Sequence, residues 1–167
     1  MAIIRKNTAA LPVAPTKKRS DTAHAALVER GLRWLRNRCS VAFAELVTIA
    51  GEIPDGWGYS ADGSILVECK ATRSDFLADA KKIYRRLPEK GMGNHRYFLC
   101  PPDLIKPEEL PASWGLLYCY PKQIKVVVKA KSQPANLVAE RTLLVSLVRR
   151  CALRWDITDV QKMEASA

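Results

Sequence analysis

Three residues near the middle of the chain combine acid and base in a pattern suited to phosphodiester chemistry. Glu68 and Lys70 end an apolar, strand-like stretch, and Asp55 follows Pro54 in an upstream turn. Side chains two residues apart on a strand share one face, so Glu68 and Lys70 are expected side by side, roughly 6–7 Å apart along the strand. Charges in such a place are costly unless they are paired or bind a ligand. Two carboxylates with an ammonium are what a metal-dependent phosphodiesterase needs.

A predicted hairpin brings the two acids together. Asp62-Gly63 is a strong signal for a tight turn, and it predicts antiparallel strands over residues 56–60 and 64–71. Asp55 then lies at the start of the first strand, and Glu68 lies near the end of the second. Chain reversal therefore makes the two carboxylates neighbours.

The predicted chemistry gives each side chain a separate part. Asp55 and Glu68 would hold Mg²⁺ or Mn²⁺ through carboxylate oxygens, and the backbone carbonyl of Cys69 would complete the set. Lys70 would orient the attacking water and neutralise charge in the transition state. Glu45, on the neighbouring strand, would be an additional ligand through water. The alternative for Glu45 is a glutamate on an edge strand that faces solvent.

The segment after Lys70 predicts a basic helix. Residues 72–75 fit a capping box, and the helix is expected to continue to about Leu87, before Pro88. Its predicted buried stripe is Phe76, Ala80, Ile83, Tyr84 and Leu87. The predicted phosphate-binding residues are Arg73, Lys81, Lys82, Arg85 and Arg86. A solvated helix face is the alternative, but phosphate contact is favoured because few acids, chiefly Asp79, are present to pair with these cations.

The remaining pattern predicts one α/β domain over residues 20–156, between a flexible basic tail at 1–19 and a frayed end at 157–167. The other predicted elements are helices over 20–38 and from Pro134 onward, and strands over 39–49, 95–100, 114–120 and 123–129. The predicted apolar stripe of the last helix is Leu137, Leu144, Leu147, Val148, Cys151 and Trp155. His24 is expected to be an ordinary surface residue in the first turn of the first helix.

Charge and cysteine content restrict the partners and the compartment. A net charge of +10 on 167 residues indicates an anionic partner, nucleic acid first. Residues 1–20 hold five bases and no acid, whereas the other 147 residues have 22 bases against 17 acids. The five cysteines have no metal-ligand or redox spacing, which is typical of buried thiols in a reducing compartment. No stretch suggests a signal peptide or a membrane span, so a cytoplasmic protein is expected.

The motif itself resembles that of a known family. Pro54-Asp55, followed by ILVECK at residues 65–70, resembles the PD-(D/E)xK nuclease superfamily. The continuation at 71–79 and the segment 91–101 are similar to small stand-alone phage and bacterial members that are related to MmcB-like repair proteins. The resemblance covers roughly residues 22–120.

This resemblance implies a restriction-endonuclease-like α-β-β-β-α-β core, with a mixed central sheet flanked by helices and an added C-terminal hairpin and helix. It also implies Asp55 and Glu68 as metal ligands, and Lys70 as the catalytic lysine. Glu45 would be the auxiliary acid.

The sequence therefore predicts a Mg²⁺- or Mn²⁺-dependent nuclease that cuts DNA. One alternative is a DNA-binding module, such as a repair or recombination accessory factor, that keeps the fold without turnover. An RNA-directed nuclease is another, because nothing in the sequence reads bases and a basic surface serves either polymer. A two-fold homodimer would suit paired cuts in a duplex.

Overall fold

A six-stranded mixed sheet lies at the centre of the fold, in a computed structural model that describes residues 21–152. The strands are β1 (Val41–Phe43), β2 (Gly56–Ser60), β3 (Gly63–Cys69), β4 (His95–Cys100), β5 (Gly115–Cys119) and β6 (Ile124–Val128). The helices are α1 (Asp21–Arg36), α2 (Arg73–Asp79), α3 (Ile83–Arg86) and α4 (Leu137–Ala152), with 3₁₀ turns at Pro88–Lys90 and Pro107–Glu109. The predictions for the tail at 1–19, for Trp155 and for the end at 157–167 lie outside the described residues.

The strands lie in the sheet in chain order, from β1 to β6. β3 pairs in parallel with β4, and β4 with β5, whereas the other three pairings are antiparallel. The predicted hairpins β2–β3 and β5–β6 are both present, and Gly63 adopts the positive φ of 108° that the first turn requires. The prediction of a mixed α/β domain with a terminal hairpin and helix is therefore confirmed at this level.

Each face of the sheet is covered by different helices. On one face, Leu27 and Leu35 of α1 pack with Val67 and other alternate residues of the central strands. On the opposite face, Leu66 and its neighbours pack with residues of α2 and α4, such as Phe76 and Leu143. The two-residue period of β3 thus separates Val67 from Leu66 and divides the core into two layers.

The predicted strand over residues 39–49 is mostly wrong. Only Val41–Phe43 pairs with β2, in the register Ala42 to Gly58. Glu45 has a φ of 49°, in the left-handed region, so the chain cannot continue as a strand past it. The segment that follows is a loop leading to β2.

The predicted single helix over residues 72–87 is divided in two. Thr72 caps α2 as predicted, since its hydroxyl accepts the N–H of Asp75 at 3.2 Å. The helix stops after Asp79, and Lys82 is extended, with a ψ of 136°, before α3 begins. The predicted buried stripe is wrong at three positions that are exposed: Ala80, Ile83 and Leu87. The break follows Asp79, whose side chain forms hydrogen bonds with the cations Lys70 and Arg85.

The last helix begins at Leu137, three residues later than predicted. The Asn136 side chain caps it by accepting the N–H of Ala139 at 3.0 Å. Its buried face contains Ala139, Glu140 and Leu143, whereas three residues of the predicted stripe are exposed: Leu137, Val148 and Cys151. The rotation of the helix is set by Glu140, which is fixed to the sheet by hydrogen bonds.

The cysteines are all free thiols, in agreement with their spacing. Cys69 and Cys100 are buried as predicted, but Cys151 is exposed. Burial raises the pKa of the Cys100 thiol to about 11, so this side chain is an apolar core group. Within residues 21–152, no helix has both the length and the apolar character needed to cross a bilayer.

Candidate metal centre and buried ion-pair network

His24, Glu45 and Asp55 form a cluster of potential metal ligands at one end of the sheet. Each offers one donor atom, and the three atoms all lie within 4.8 Å of one another. The imidazole Nε2 of His24 is 3.3 Å from Oδ2 of Asp55, and both side chains are half-buried. Glu45 is exposed, which leaves the cluster open to solvent.

Three separate elements position these donors. α1 is held on the sheet by its apolar face, and it carries His24 in its first two turns. Asp55 lies in the bend before β2, where its Oδ2 accepts the N–H of Cys69 at 2.7 Å. The left-handed backbone of Glu45 ends β1 and returns the chain toward the same place. The bond to Cys69 is the central constraint, because it fixes the Asp55 carboxylate against the end of β3.

Glu68 and Lys70 lie in a different environment. They share one face of β3, as the alternation predicts, and Nζ of Lys70 is 3.2 Å from Oε2 of Glu68. The same Nζ donates to Oδ1 of Asp79 at 2.9 Å. Both residues are almost fully buried, at 2% and 6% exposure.

This pair belongs to a larger buried ion-pair network of three acids and three cations. Its members are Glu52, Glu68, Asp79, Lys70, Lys82 and Arg85. Glu68 is 3.3 Å from Nζ of Lys82 and 3.2 Å from Nη2 of Arg85. Arg85 also forms a close ion pair with Asp79, and its guanidinium lies 4.4 Å above the Trp114 ring. The formal charges of the network cancel, as buried charges require.

Two carboxyl groups of the network show opposite pKa shifts. Burial alone would raise the pKa of Asp79, but the hydrogen bond and charge of Arg85, together with Lys70, hold it well below its usual range. For Glu52, burial outweighs the N–H of Met92 and the nearby cations, and the pKa is raised. Nη1 of Arg85 is 3.7 Å from Glu52, beyond hydrogen-bond distance, which explains the weaker compensation. The cations around Asp79 therefore favour its ionised form.

The two predicted metal ligands, Asp55 and Glu68, form ion pairs with different partners. Asp55 contacts His24 on the side covered by α1, whereas Glu68 contacts the cations on the side of α2 and α3. The backbones of the two residues are neighbours, as the hairpin predicts, since Gly56 pairs with Val67 and the Asp55 carboxylate accepts the N–H of Cys69. At Cys69, the recorded contact to Asp55 is through the N–H. Of the predicted acids, only Glu45 joins Asp55.

His24 is the member of the cluster that the sequence prediction missed. A signal for it exists in the spacing of α1. His24, Val28, Gly31 and Leu35 recur at helical intervals, and the last three face the sheet. The imidazole therefore continues the face that docks on the sheet.

The predicted phosphate-binding stripe is largely engaged in internal ion pairs. Arg85 is wrong as a surface residue, because its side chain is only 3% exposed. Lys82 is half-exposed but pairs with Glu68 and Asp79. Nη1 of Arg73 donates to Glu109 at 2.7 Å, and this contact lowers the pKa of the Glu109 carboxyl to about 2. Lys81 and Arg86 are exposed as well, on segments separated by the helix break.

The donor chemistry of the cluster fits a divalent cation. Ligand oxygens lie about 2.0–2.6 Å from Mg²⁺ or Ca²⁺, so donors sharing one ion are separated by at most about 5 Å. The separations among His24, Glu45 and Asp55 satisfy that limit. One imidazole nitrogen with two carboxylates suits Mn²⁺ better than Mg²⁺, which prefers oxygen alone. Glu68 does not fit such a role while three cations surround it.

Comparison with known proteins gives information about the fold of this chain but not about its activity. No protein-family model and no curated protein matches the chain. Among solved structures, a protein of unknown function from Silicibacter pomeroyi superposes with a TM-score of 0.62 and 26% sequence identity. The alignment covers 80% of this chain and 88% of that chain. The mixed α/β architecture is thus shared over most of both proteins.

Proposed function

We propose that this protein is a divalent-metal-dependent nuclease that hydrolyses phosphodiester bonds, with DNA as its substrate. The observation that carries the proposal is the convergence of His24, Glu45 and Asp55 donors within 4.8 Å, beside the end of β3. The net charge of +10 supports a polyanionic substrate.

The order of elements supports the same assignment. α1, β1, β2 and β3 are followed by the helices α2 and α3 and then by β4, which gives α-β-β-β-α-β when the two short helices count as one, and β4 is parallel to β3. A restriction-endonuclease-like core has this order, and we include that fold in the proposal. The motif acid Asp55 lies at the start of β2, and Glu68 and Lys70 lie at the end of β3.

In this proposal, the metal is held by His24, Glu45 and Asp55. When bound, the ion supplies a water of lowered pKa and a Lewis acid for the phosphoryl oxygen. The Cys69 N–H holds the Asp55 carboxylate in one orientation. Lys70 pairs with Asp79 and so fixes the end of β3. It is therefore a positioning residue for the N–H of Cys69.

Metal binding is the first test, and it needs no substrate. We expect His24→Asn to weaken Mn²⁺ affinity by about 10-fold or more, because loss of groups around a metal site typically costs that much. Calorimetry or the electron paramagnetic resonance signal of free Mn²⁺ measures it. His95→Asn, at the start of β4, is the matched control and should bind as the wild type does. Equal affinity of the two variants would show that the imidazole of His24 is not a ligand.

Cleavage is the second test. The full chain is incubated with Mn²⁺ or Mg²⁺ and with single-stranded, duplex, flap and junction DNA, with RNA in parallel. Asp55→Asn should reduce the rate by about 100-fold, whereas Asp62→Asn in the exposed hairpin turn should leave it unchanged. Equal rates for both variants would identify a contaminating nuclease and overturn the proposal.

A second function is favoured by one observation. Glu68 and Lys70 form buried ion pairs, so neither side chain is exposed to a substrate. This arrangement would suit a nucleic-acid-binding module that has the fold but no catalytic activity. Binding of DNA by the wild type, with no cleavage of any substrate in either metal, would support this accessory role instead.

A further inference from the structure

A cationic cleft lies between the second half of α1 and the turn that joins β5 to β6. It has a volume of about 190 Å³. Its charged lining residues are Arg30, Arg33, Arg38 and Lys122, with Asn37 and Gln123 beside them. None of the described residues that line it is acidic. Four positive charges around amide side chains form an environment suited to an anion.

The cations of this cleft are held in place with little neutralisation. Arg38 donates to the carbonyl oxygen of Trp34 at 3.1 Å, and its guanidinium lies 4.3 Å from the centroid of that ring. Arg30 contacts the thiol of Cys119, which is neutral at its raised pKa. Among residues 21–152, the one carboxylate contact in this group is Glu29 with Arg33, at 2.9 Å, and both side chains are more than two-thirds exposed. Such an exposed pair contributes little to stability.

The cleft contrasts with the basic segment after β3. There, Lys82 and Arg85 form ion pairs with buried acids, and these pairs stabilise the fold. In the cleft, Arg30 and Arg38 contact a thiol, a carbonyl and an aromatic ring, none of which carries an opposing charge.

A second hollow adjoins the cleft along α1. This hollow, of about 210 Å³, is lined by Ala23, Ala26 and Arg30, among others, and so shares Arg30 with the cleft. It extends toward the first turns of α1, where His24 lies. At 1.5 Å per residue, Arg30 and Arg33 are about 9 and 14 Å along the helix from His24. These two distances correspond to about three and four nucleotides of a DNA strand, at 3.4 Å per nucleotide.

We propose that this cleft binds the sugar-phosphate backbone of the nucleic acid, a few nucleotides from the bond to be cut. The identity of the polyanion rests on the proposed function. The contacts are to phosphates, so binding depends on salt and not on base sequence. α1 would therefore carry both a metal ligand, His24, and the arginines that align the substrate with the metal.

Binding without metal tests this inference separately from cleavage. Fluorescence anisotropy of a labelled single-stranded or duplex oligonucleotide is measured in EDTA over a range of salt concentrations. The variant is Arg33→Gln with Lys122→Gln, two exposed positions whose change leaves the core intact. The matched control is Lys90→Gln with Arg141→Gln, which removes the same charge from exposed positions outside the cleft.

We expect the cleft variant to bind at least 10-fold more weakly, and the slope of log affinity against log salt to fall by about 2 for duplex DNA. The control should stay within about twofold of the wild type. A second variant, Arg30→Gln with Arg38→Gln, should show the same loss, with circular dichroism confirming that it is folded.

Equal weakening in the cleft and control variants would overturn the inference, because the effect would then follow net charge alone. Unchanged binding in both cleft variants would overturn it as well. The Asp55→Asn protein should bind normally in EDTA. A protein that binds through the cleft but never cleaves would thus refute the nuclease proposal while leaving the cleft assignment in place.

Discussion

Asp79 is the side chain on which the buried charges of the domain converge. Its carboxylate contacts Lys70, Lys82 and Arg85, and its own side chain is 1% exposed. Removing one charge from a buried network strands the remaining charges in a low-dielectric interior. Asp79 is therefore worth more to stability than its position at a helix end suggests.

We expect Asp79→Asn to lower the free energy of unfolding by about 3–5 kcal/mol at pH 7. The pKa of Asp79 in the folded state lies below its ordinary value of 3.8, so its stabilisation is fully present above that pH and is lost as the pH falls toward the folded pKa. Denaturant unfolding should show the gap between wild type and variant closing below about pH 4. The control, Asp75→Asn at an exposed site in α2, should change stability by less than about 0.5 kcal/mol. A constant gap down to pH 2 would contradict the pairing of Asp79.

At this scale, the sequence predicts some partners and misses others. The pairing of Glu68 with Lys70 follows from local alternation, which acts over two residues. The contacts of Asp55 with His24, and of Lys70 with Asp79, depend on how separate elements pack. Such contacts are decided by tertiary geometry, so no local spacing signals them fully.

Among the elements, α4 is fixed to the sheet by a polar anchor. Oε1 of Glu140 accepts the Ser64 hydroxyl and the N–H of Gly93, both at 2.7 Å. The indole N–H of Trp57 donates to the same oxygen at 3.3 Å. Because Glu140 is buried, water cannot accept the hydrogen bonds of these donors if the carboxylate is removed.

Truncation at Glu140→Ala should therefore lower the free energy of unfolding by about 3 kcal/mol or more, at roughly 1 kcal/mol for each stranded donor. Thermal or urea unfolding measures the change. Glu108→Ala, an exposed glutamate, removes the same atoms and should have an effect of less than about 0.5 kcal/mol. Similar values for the two variants would show that Glu140 is not an anchor.

The elements also show what kind of sequence signal is reliable. β4 begins and ends where predicted, at His95 and Cys100, because a short apolar run between turn residues has few alternatives. The break between α2 and α3 was missed, because residues 80–82 carry no Gly or Pro and its cause is the long-range pairing of Asp79. The predicted apolar stripe of α4 does not include the buried Glu140, because the spacing of apolar residues gives no signal for a buried carboxylate.

For the whole molecule, the distribution of charge matters more than its total. Five of the ten excess positive charges lie in residues 1–19, and the cleft concentrates four more cations at one place. Within residues 21–152, many of the other bases are matched by acids. The tail and the cleft should therefore account for most of the attraction to nucleic acid.

Removal of residues 1–19 should weaken DNA binding at low salt and reduce the salt slope, by about 0.9 for each lost phosphate contact. Anisotropy titrations at several salt concentrations measure both quantities. The loss should be similar for unrelated DNA sequences, since the contacts are to phosphate. A chain with the tail reversed in sequence keeps the charge and should bind as the wild type does. An unchanged salt slope after removal would assign all of the attraction to the folded domain.

The neutral ion-pair network also has a consequence for how this fold can change over generations. Replacing one member leaves an unmatched buried charge, whereas replacing an opposite pair with apolar residues can cost little. Positions 79 and 85 should accordingly vary together among descendants of a common ancestor, with both charges kept or both lost. Lineages that carry only one of the two should be rare, since each must pass through a poorly folding intermediate.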